Sequence, residues 1–330
     1  MKESKNLAYE RSIELAGAGL LHPVLTCVRL TRDCDIRCDY CSELFVPSGK
    51  DLGFEAWKKI ADIVYALGNR DFVLTGGEPM LMEFVIDLVE YAASRDSFVS
   101  LATNGRLLTA ENLAELDDAG LDYLGISVDY FDDAKTWGKN LTPELRNTLE
   151  HIAGSTYQFQ TQVATVVSND NLLSLPNMVG YFSSLGMPTR LMLMMTNKYN
   201  AEAVKMLEIE KDSGPIKEVI DELLDLKRNG ALIIDDEFTL ERIEQFQSGE
   251  KPYHCKGGQF DLSINNDGRL VACPDGIITN TNIFSIDSLN AYQNFIEECA
   301  SLLADCPGCL WSHKQRLEDA IKSHIKEVSS

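Results

Sequence analysis

Between residues 24 and 195 the chain alternates strand-like and helix-like segments, and that alternation restricts the fold more than any other feature. "VLTCVRLT" (24–31), "DFVLTG" (71–76), "FVSLAT" (98–103), "LDYLGISV" (121–128), "FQTQVATVV" (159–167) and "RLMLMM" (190–195) read as strands. Helical periodicity fills the gaps at 53–67, 79–94, 109–120, 142–154 and 170–186. Thr109 and Thr142 stand where N-caps belong, and Gly120, Gly154 and Gly186 follow helix ends. Strands linked through helices imply right-handed crossovers and a parallel sheet. The fold class is α/β, and the pattern fits a partial (β/α)6 TIM-like barrel or a doubly wound sheet equally well. In both, chemistry belongs at the C-terminal ends of the strands.

After residue 197 the pattern changes. A charged helix over 201–228, a short strand in "ALIIDD" and a further helix lead to "FDLSI" and "RLVAC", which flank "NNDG" and predict a hairpin. A helical region at 286–304 precedes "CPGC", and a final helix closes the chain. This divides the chain into an N-terminal extension (1–23), a barrel (24–200), linking helices (201–250) and a small C-terminal α+β domain (251–330).

Nine cysteines fall into two groups, 27, 34, 38 and 41, then 255, 273, 299, 306 and 309. The start, "MKESKNLAYERSIELAG", lacks a secretory apolar core, and no stretch long enough for a transmembrane helix occurs. An odd cysteine count without a secretory signal suits metal ligation in a reducing cytoplasm better than a disulfide framework. The net charge of −21 argues against nucleic acid or an anionic membrane as partner.

Cys34, Cys38 and Cys41 follow the first strand directly, as C-x3-C-x2-C. A zinc site would need a fourth ligand, and the next histidine is His151; Asp33, Asp35 and Asp39 offer only oxygens. Three thiolates on a four-iron cluster leave one iron open for a substrate or cofactor.

In these residues the chain resembles the radical S-adenosylmethionine superfamily, whose signature is CxxxCxΦC with an aromatic at Φ, here Tyr40. Further matches follow in order at strand ends: Gly76, Gly77, Glu78 and Pro79; Thr103, Asn104 and Gly105; Ser127 and Asp129; and Asn169. The resemblance implies that Cys34, Cys38 and Cys41 hold a [4Fe-4S] cluster with an open iron. It implies that Tyr40, Gly76–Pro79, Thr103, Asn104, Ser127, Asp129 and Asn169 contact S-adenosylmethionine, with Arg146 reaching its carboxylate. The shared mechanism is reductive cleavage to a 5′-deoxyadenosyl radical, which takes hydrogen from an unactivated carbon. A flavodoxin- or ferredoxin-type protein would donate the electron.

Cys255, Cys273, Cys306 and Cys309 resemble the family's short auxiliary cluster domain, the Twitch form of SPASM. This implies one auxiliary [4Fe-4S] cluster, with zinc at the same four residues as the alternative. Their spacing resembles that of members oxidising an aminocyclitol alcohol. Cys27 and Cys299 are left over as buried thiols, with Cys299 the candidate hydrogen-atom donor. Only some 23 residues precede the first strand, which favours a small polar metabolite (a sugar, aminocyclitol or nucleoside) and an oxidation in natural-product biosynthesis. Arg29, Arg146, Arg190 and Lys198 are candidate anion contacts. The alternatives are a maturase of ribosomally made peptides, by epimerisation or crosslinking, and a non-catalytic iron–sulfur or zinc protein.

Overall fold

The computed structural model describes residues 23, 25–41, 43, 46, 48–131, 138–194, 214–237, 239–241, 243, 257–259, 261–273 and 277–304. Strands β1 (Leu25–Arg29), β2 (Asp71–Thr75), β3 (Phe98–Thr103), β4 (Tyr123–Ser127), β5 (Gln160–Val167) and β6 (Thr189–Leu193) lie where the alternation predicts them. Between them run α1 (Phe54–Ala66), α2 (Val85–Ser94), α3 (Ala110–Asp118), α4 (Pro143–Gly154) and α5 (Leu175–Ser184). Each strand pairs in parallel with the next. Right-handed crossovers between sequential neighbours place every helix on the same face of the sheet.

Side-chain alternation divides the two faces. Val28, Leu74, Leu101, Ile126, Val163 and Leu191 pack into one core with Trp57, Leu88, Leu113, Leu149 and Val179 from the helices. Residues of the opposite parity, such as Cys27, Ser100, Ser127, Gln162 and Arg190, stay partly accessible to solvent. Caps set the helix starts: Thr109 Oγ1 accepts from Asn112 N at 3.2 Å while Asn112 Oδ1 accepts from Thr109 N at 2.8 Å.

The "NNDG" hairpin forms as β7 (Asp261–Ile264) and β8 (Arg269–Cys273), paired antiparallel. β7 also pairs in parallel with β1, Cys27 opposite Ser263, so these strands continue the sheet of β1–β6. A further strand, β9 (Ile277–Asn282), pairs antiparallel with β8; its polar "IITNTN" gave no strand pattern. The sheet is open, in the order β6-β5-β4-β3-β2-β1-β7-β8-β9. Helix α6 (Gly214–Arg228) follows β6 in the chain and α7 (Leu289–Leu302) follows β9.

Three expectations need correction. "ALIIDD" is no strand: Ile233 makes a single bridge to Thr189, and the Asp235 carboxylate then takes Leu191 N at 2.7 Å in place of a backbone acceptor. The helix expected from 79 starts at Val85, because Glu78 caps Met80 N and a 3-10 turn occupies Pro79–Leu81. A second 3-10 turn, Leu172–Ser174, similarly precedes α5. The expected helical segment 201–213, "CPGC" and the closing helix lie outside the described residues.

The hairpin turn is tied to the loop that follows the cysteines. Arg32 Nη2 donates to Asn265 Oδ1 at 2.5 Å, Gly49 N to Asp267 Oδ2 at 2.7 Å, and Leu52 N to Asn266 O at 2.9 Å. The Asp51 carboxylate bridges Asn266 Nδ2 and Thr31 Oγ1. Replacing Asn265 by Ala removes a partner from a buried guanidinium and is expected to cost about 2 kcal/mol. Hydrogen exchange across 261–273 should quicken while β3 and β4 stay protected. Unchanged exchange in 261–273 would show that the hairpin does not depend on this contact.

Candidate active site

The cysteine loop leaves the C-terminal end of β1, and the parallel pairing of β1 with β2 does not stop at the strand ends. Leu30 N donates to Thr75 O at 2.9 Å, Gly77 N to Thr31 O at 2.8 Å, and Glu78 N to Asp33 O at 2.8 Å. A Cβ on Gly77 would stand 2.1 Å from Asp33 O, and one on Gly76, at φ +140°, 2.4 Å from Thr31 O. The two glycines therefore clear space for the protein's own backbone at the root of the cysteine loop.

Glu78 is buried and accepts from Thr103 Oγ1 at 2.7 Å, Asn104 N at 2.7 Å and Met80 N at 3.0 Å. Burial raises its pKa, with the three hydrogen bonds acting against that rise. Asn104 reaches back to the loop: its Nδ2 donates to Asp35 Oδ1 at 2.6 Å and lies 3.9 Å from Cys34 Sγ. The ends of β2 and β3 thus grip the first cysteine.

The far end of the loop is held by β4 and β5. A turn closes with Cys41 N on Cys38 O at 3.0 Å, and Tyr40 between them donates its hydroxyl to Asp129 Oδ2 at 2.5 Å. Asp129 is 1% exposed and also accepts from Val166 N at 2.8 Å. Burial is the main cause raising its pKa, opposed by Lys139, the Tyr40 hydroxyl and the Val166 amide. Lys139 Nζ sits 5.6 Å from the centre of the Tyr40 ring. Burial pulls its own pKa down, but Asp129, Cys38, Cys41 and Cys34 outweigh that and leave it raised.

Burial raises the pKa of all three thiols, and pushes Cys38 up to about 12. Lys139 acts the other way on Cys38 and Cys41, favouring their thiolates. Binding a metal here must release these protons, and Lys139 lowers that cost. Glu43 closes the loop by pairing with two buried arginines, Arg29 Nε at 2.9 Å and Arg32 Nη1 at 2.7 Å.

Ser127 lies at the end of β4, partly exposed, and Pro79 is buried at the start of its 3-10 turn. Asn169 is exposed, whereas Asn171 is buried and donates to both Asp129 O and Val166 O at 2.8 Å. Arg146 Nη2 donates to Phe131 O at 2.9 Å, its guanidinium over the rings of Phe131 and Tyr181. Cys273 ends β8, partly buried. Cys299 is 0% exposed and packs on Gly258, whose Cβ position is 2.6 Å from the sulfur. Cys255, Cys306, Cys309 and Lys198 lie outside the described residues. Lys139, Asn171 and Glu43 were not singled out from sequence; none falls in a spaced motif, although "SND" followed by Asn171 marks a strand end rich in capping side chains.

Residues 28–165 match the family model described as the radical SAM superfamily. Over 107 residues the chain is 35% identical to the PqqA peptide cyclase of Bradyrhizobium diazoefficiens, covering 32% of this chain and 28% of that protein. It is 26% identical over 294 residues to the GTP 3′,8-cyclase of Staphylococcus carnosus, covering 77% of this chain and 79% of that one. The chain thus spans about a third of the first curated relatives it matches, 28% and 32% of their lengths. Its fold resembles Streptococcus suis SuiB bound to S-adenosylmethionine, with TM-score 0.66, 14% identity, and coverage of 84% of this chain and 68% of that one.

The glycine contacts predict that Gly77→Ala forces the loop root away from β2 and costs about 1–3 kcal/mol. Gly154→Ala is the control, since its Cβ meets nothing within 4 Å; it should be neutral or stabilising by about 0.5–1 kcal/mol. Urea unfolding of both variants compares them, and equal stability would remove the packing role assigned to Gly77.

Proposed function

Residues 28–165 carry a radical SAM superfamily domain, and on that premise we propose that the chain is a radical S-adenosylmethionine enzyme acting on a small polar molecule. The observation that carries this is the placing of Cys34, Cys38 and Cys41 on one loop, gripped at one end from β2 and β3 and at the other from β4 and β5. Among the described residues, no three His, Cys, Asp or Glu side chains converge as a site for a single ion. A four-iron cluster makes no such demand, because each thiolate takes a different iron. Thiols half-buried on a backbone-pinned loop, with a lysine favouring their ionised form, fit that group.

Cys34, Cys38 and Cys41 would hold the cluster, which would leave one iron without a protein ligand and available to S-adenosylmethionine. When bound and reduced, that pair supplies a 5′-deoxyadenosyl radical able to take hydrogen from an unactivated carbon. The chain's own work is positioning. Gly76 and Gly77 seat the loop, while Glu78 joins β2 to β3. Asp129 fixes the Tyr40 ring, and Ser127 offers a hydroxyl at the end of β4. Tyr40, Gly76–Pro79, Thr103, Asn104, Ser127, Asp129, Asn169 and Arg146 remain the proposed S-adenosylmethionine contacts. Cys255, Cys273, Cys306 and Cys309 are proposed to ligate an auxiliary [4Fe-4S] cluster, serving an oxidation with a flavodoxin- or ferredoxin-type electron donor.

A peptide substrate is the second reading, favoured by the PqqA peptide cyclase relative and by the solved complex of SuiB with its precursor peptide SuiA. No helix among the described residues is long and apolar enough to cross a membrane.

Anaerobic reconstitution tests the proposal. Dithionite and S-adenosylmethionine should give 5′-deoxyadenosine, and Cys38→Ala should abolish it; no product from the wild-type protein would end the enzyme reading. Iron should reach about eight per chain, falling to about four in Cys306→Ala. About four in the wild type would remove the auxiliary cluster.

A further inference from the structure

The face of the sheet turned away from the helices carries a group that neither the cluster nor its surroundings use. The four candidate cations separate clearly. Arg29 pairs with Glu43, Arg146 is already proposed for S-adenosylmethionine, and Lys198 lies outside the described residues. Arg190 keeps an Nε that is closed to solvent and has no hydrogen-bond partner among the described residues. A buried guanidinium N–H without an acceptor is costly, and such a cost is met at functional sites.

The sheet register builds a recess beside it. Arg190 on β6 stands opposite Ala164 on β5, and Ala164 opposite Ser127 on β4. Gly125 stands opposite Gln162 one pleat away. Two strand spacings separate Arg190 from Ser127, about 10 Å. Ala164 and Gly125 leave the floor between them low. Tyr123 donates its hydroxyl to Gln162 Oε1 at 2.6 Å, which leaves the Gln162 Nε2 donor lying over Gly125, 3.7 Å from where a Cβ would stand. Arg190 also acts electrostatically on Tyr123, so the three polar side chains share one neighbourhood.

We infer that Arg190 and Gln162 form a subsite for the carboxylate of a small-molecule substrate, with Tyr123 orienting the amide and Ala164 and Gly125 making room. A guanidinium fork matches a planar carboxylate with two charge-assisted hydrogen bonds, and Gln162 Nε2 supplies a third donor. One guanidinium also balances one negative charge; a doubly charged phosphate would stay half-compensated in a partly buried recess. The assignment rests on the proposed radical enzyme reading for the ligand's being the substrate. Tyr123 and Gln162 are a positioning residue and a binding residue, respectively, with neither placed among the reacting atoms.

Phenylglyoxal modification of the full-length, anaerobically reconstituted protein tests it, with Arg190 followed by peptide mapping. Acetate and succinate should slow its modification more than phosphate, or than chloride at matched ionic strength. Gln162→Leu, which keeps the arginine, should raise the half-protecting acetate concentration about tenfold. Gln162→Glu supplies an internal carboxylate, and should protect Arg190 with no additive. Equal protection by chloride, stronger protection by phosphate, or an Arg190 that resists the reagent without any carboxylate overturns the subsite. Formation of 5′-deoxyadenosine in the same preparation separates the two ideas: its absence ends the enzyme reading and leaves the protection result standing, while its presence without protection ends the subsite alone.

Discussion

The architecture of the site depends on one close approach, that of backbone 31–33 to backbone 76–78. Parallel strands normally part company where their ladders end. Here the hydrogen bonds continue past β1 and β2 into irregular chain, through Gly77 N on Thr31 O and Glu78 N on Asp33 O. That is sterically open only because two consecutive residues lack a Cβ. The contact fixes where the cysteine loop begins. It also aims the Glu78 carboxylate sideways at the end of β3, where Asn104 turns back to Asp35 and the Cys34 sulfur. Order thus passes from a backbone contact to a buried carboxylate and then to a metal-ligand candidate.

At the other end the logic is electrostatic. Asp129 is buried at the tip of β4, an expensive place for a carboxylate, and it is held there by Val166 N, the Tyr40 hydroxyl and the charge of Lys139. Hydrogen bonds to a charged group contribute about 1.5–3 kcal/mol each, enough to fix the Tyr40 ring between two cysteines. The same lysine favours the thiolates of Cys38 and Cys41. One cation therefore serves a structural carboxylate and the chemistry of the loop together.

The central strands and the hairpin were legible because each has a local signature: alternation bounded by turns, and "NNDG" between two apolar runs. The three-cysteine spacing was legible for the same reason. What escaped was non-local. The pairing of β7 with β1 joins residues more than 200 apart and leaves no trace in either segment. Lys139 belongs to no motif, and only the return of its loop over Tyr40 gives it a role. The glycine pair is legible as a motif, but the close passage of the protein's own chain beside it is not. β9 was missed because a polar edge strand is selected by its neighbour on one side only.

The two faces of the sheet explain how an acidic chain can still offer a site for an anion. The formal charge of −21 repels anions at long range, but salt screens exposed charges beyond about 8 Å. Inside the recess the balance is set by what lies within a few ångströms, where the effective dielectric is lower and a guanidinium acts more strongly. Two of the four cations expected to meet ligands have other work: Arg29 pairs with Glu43, and Arg146 is proposed for S-adenosylmethionine. An arginine whose Nε has no hydrogen-bond acceptor among the described residues therefore stands out against a background that discourages adventitious anions. The repulsion works as a filter: it slows weak, diffuse association with anions and leaves selectivity to the local fit of fork, amide and small-residue floor.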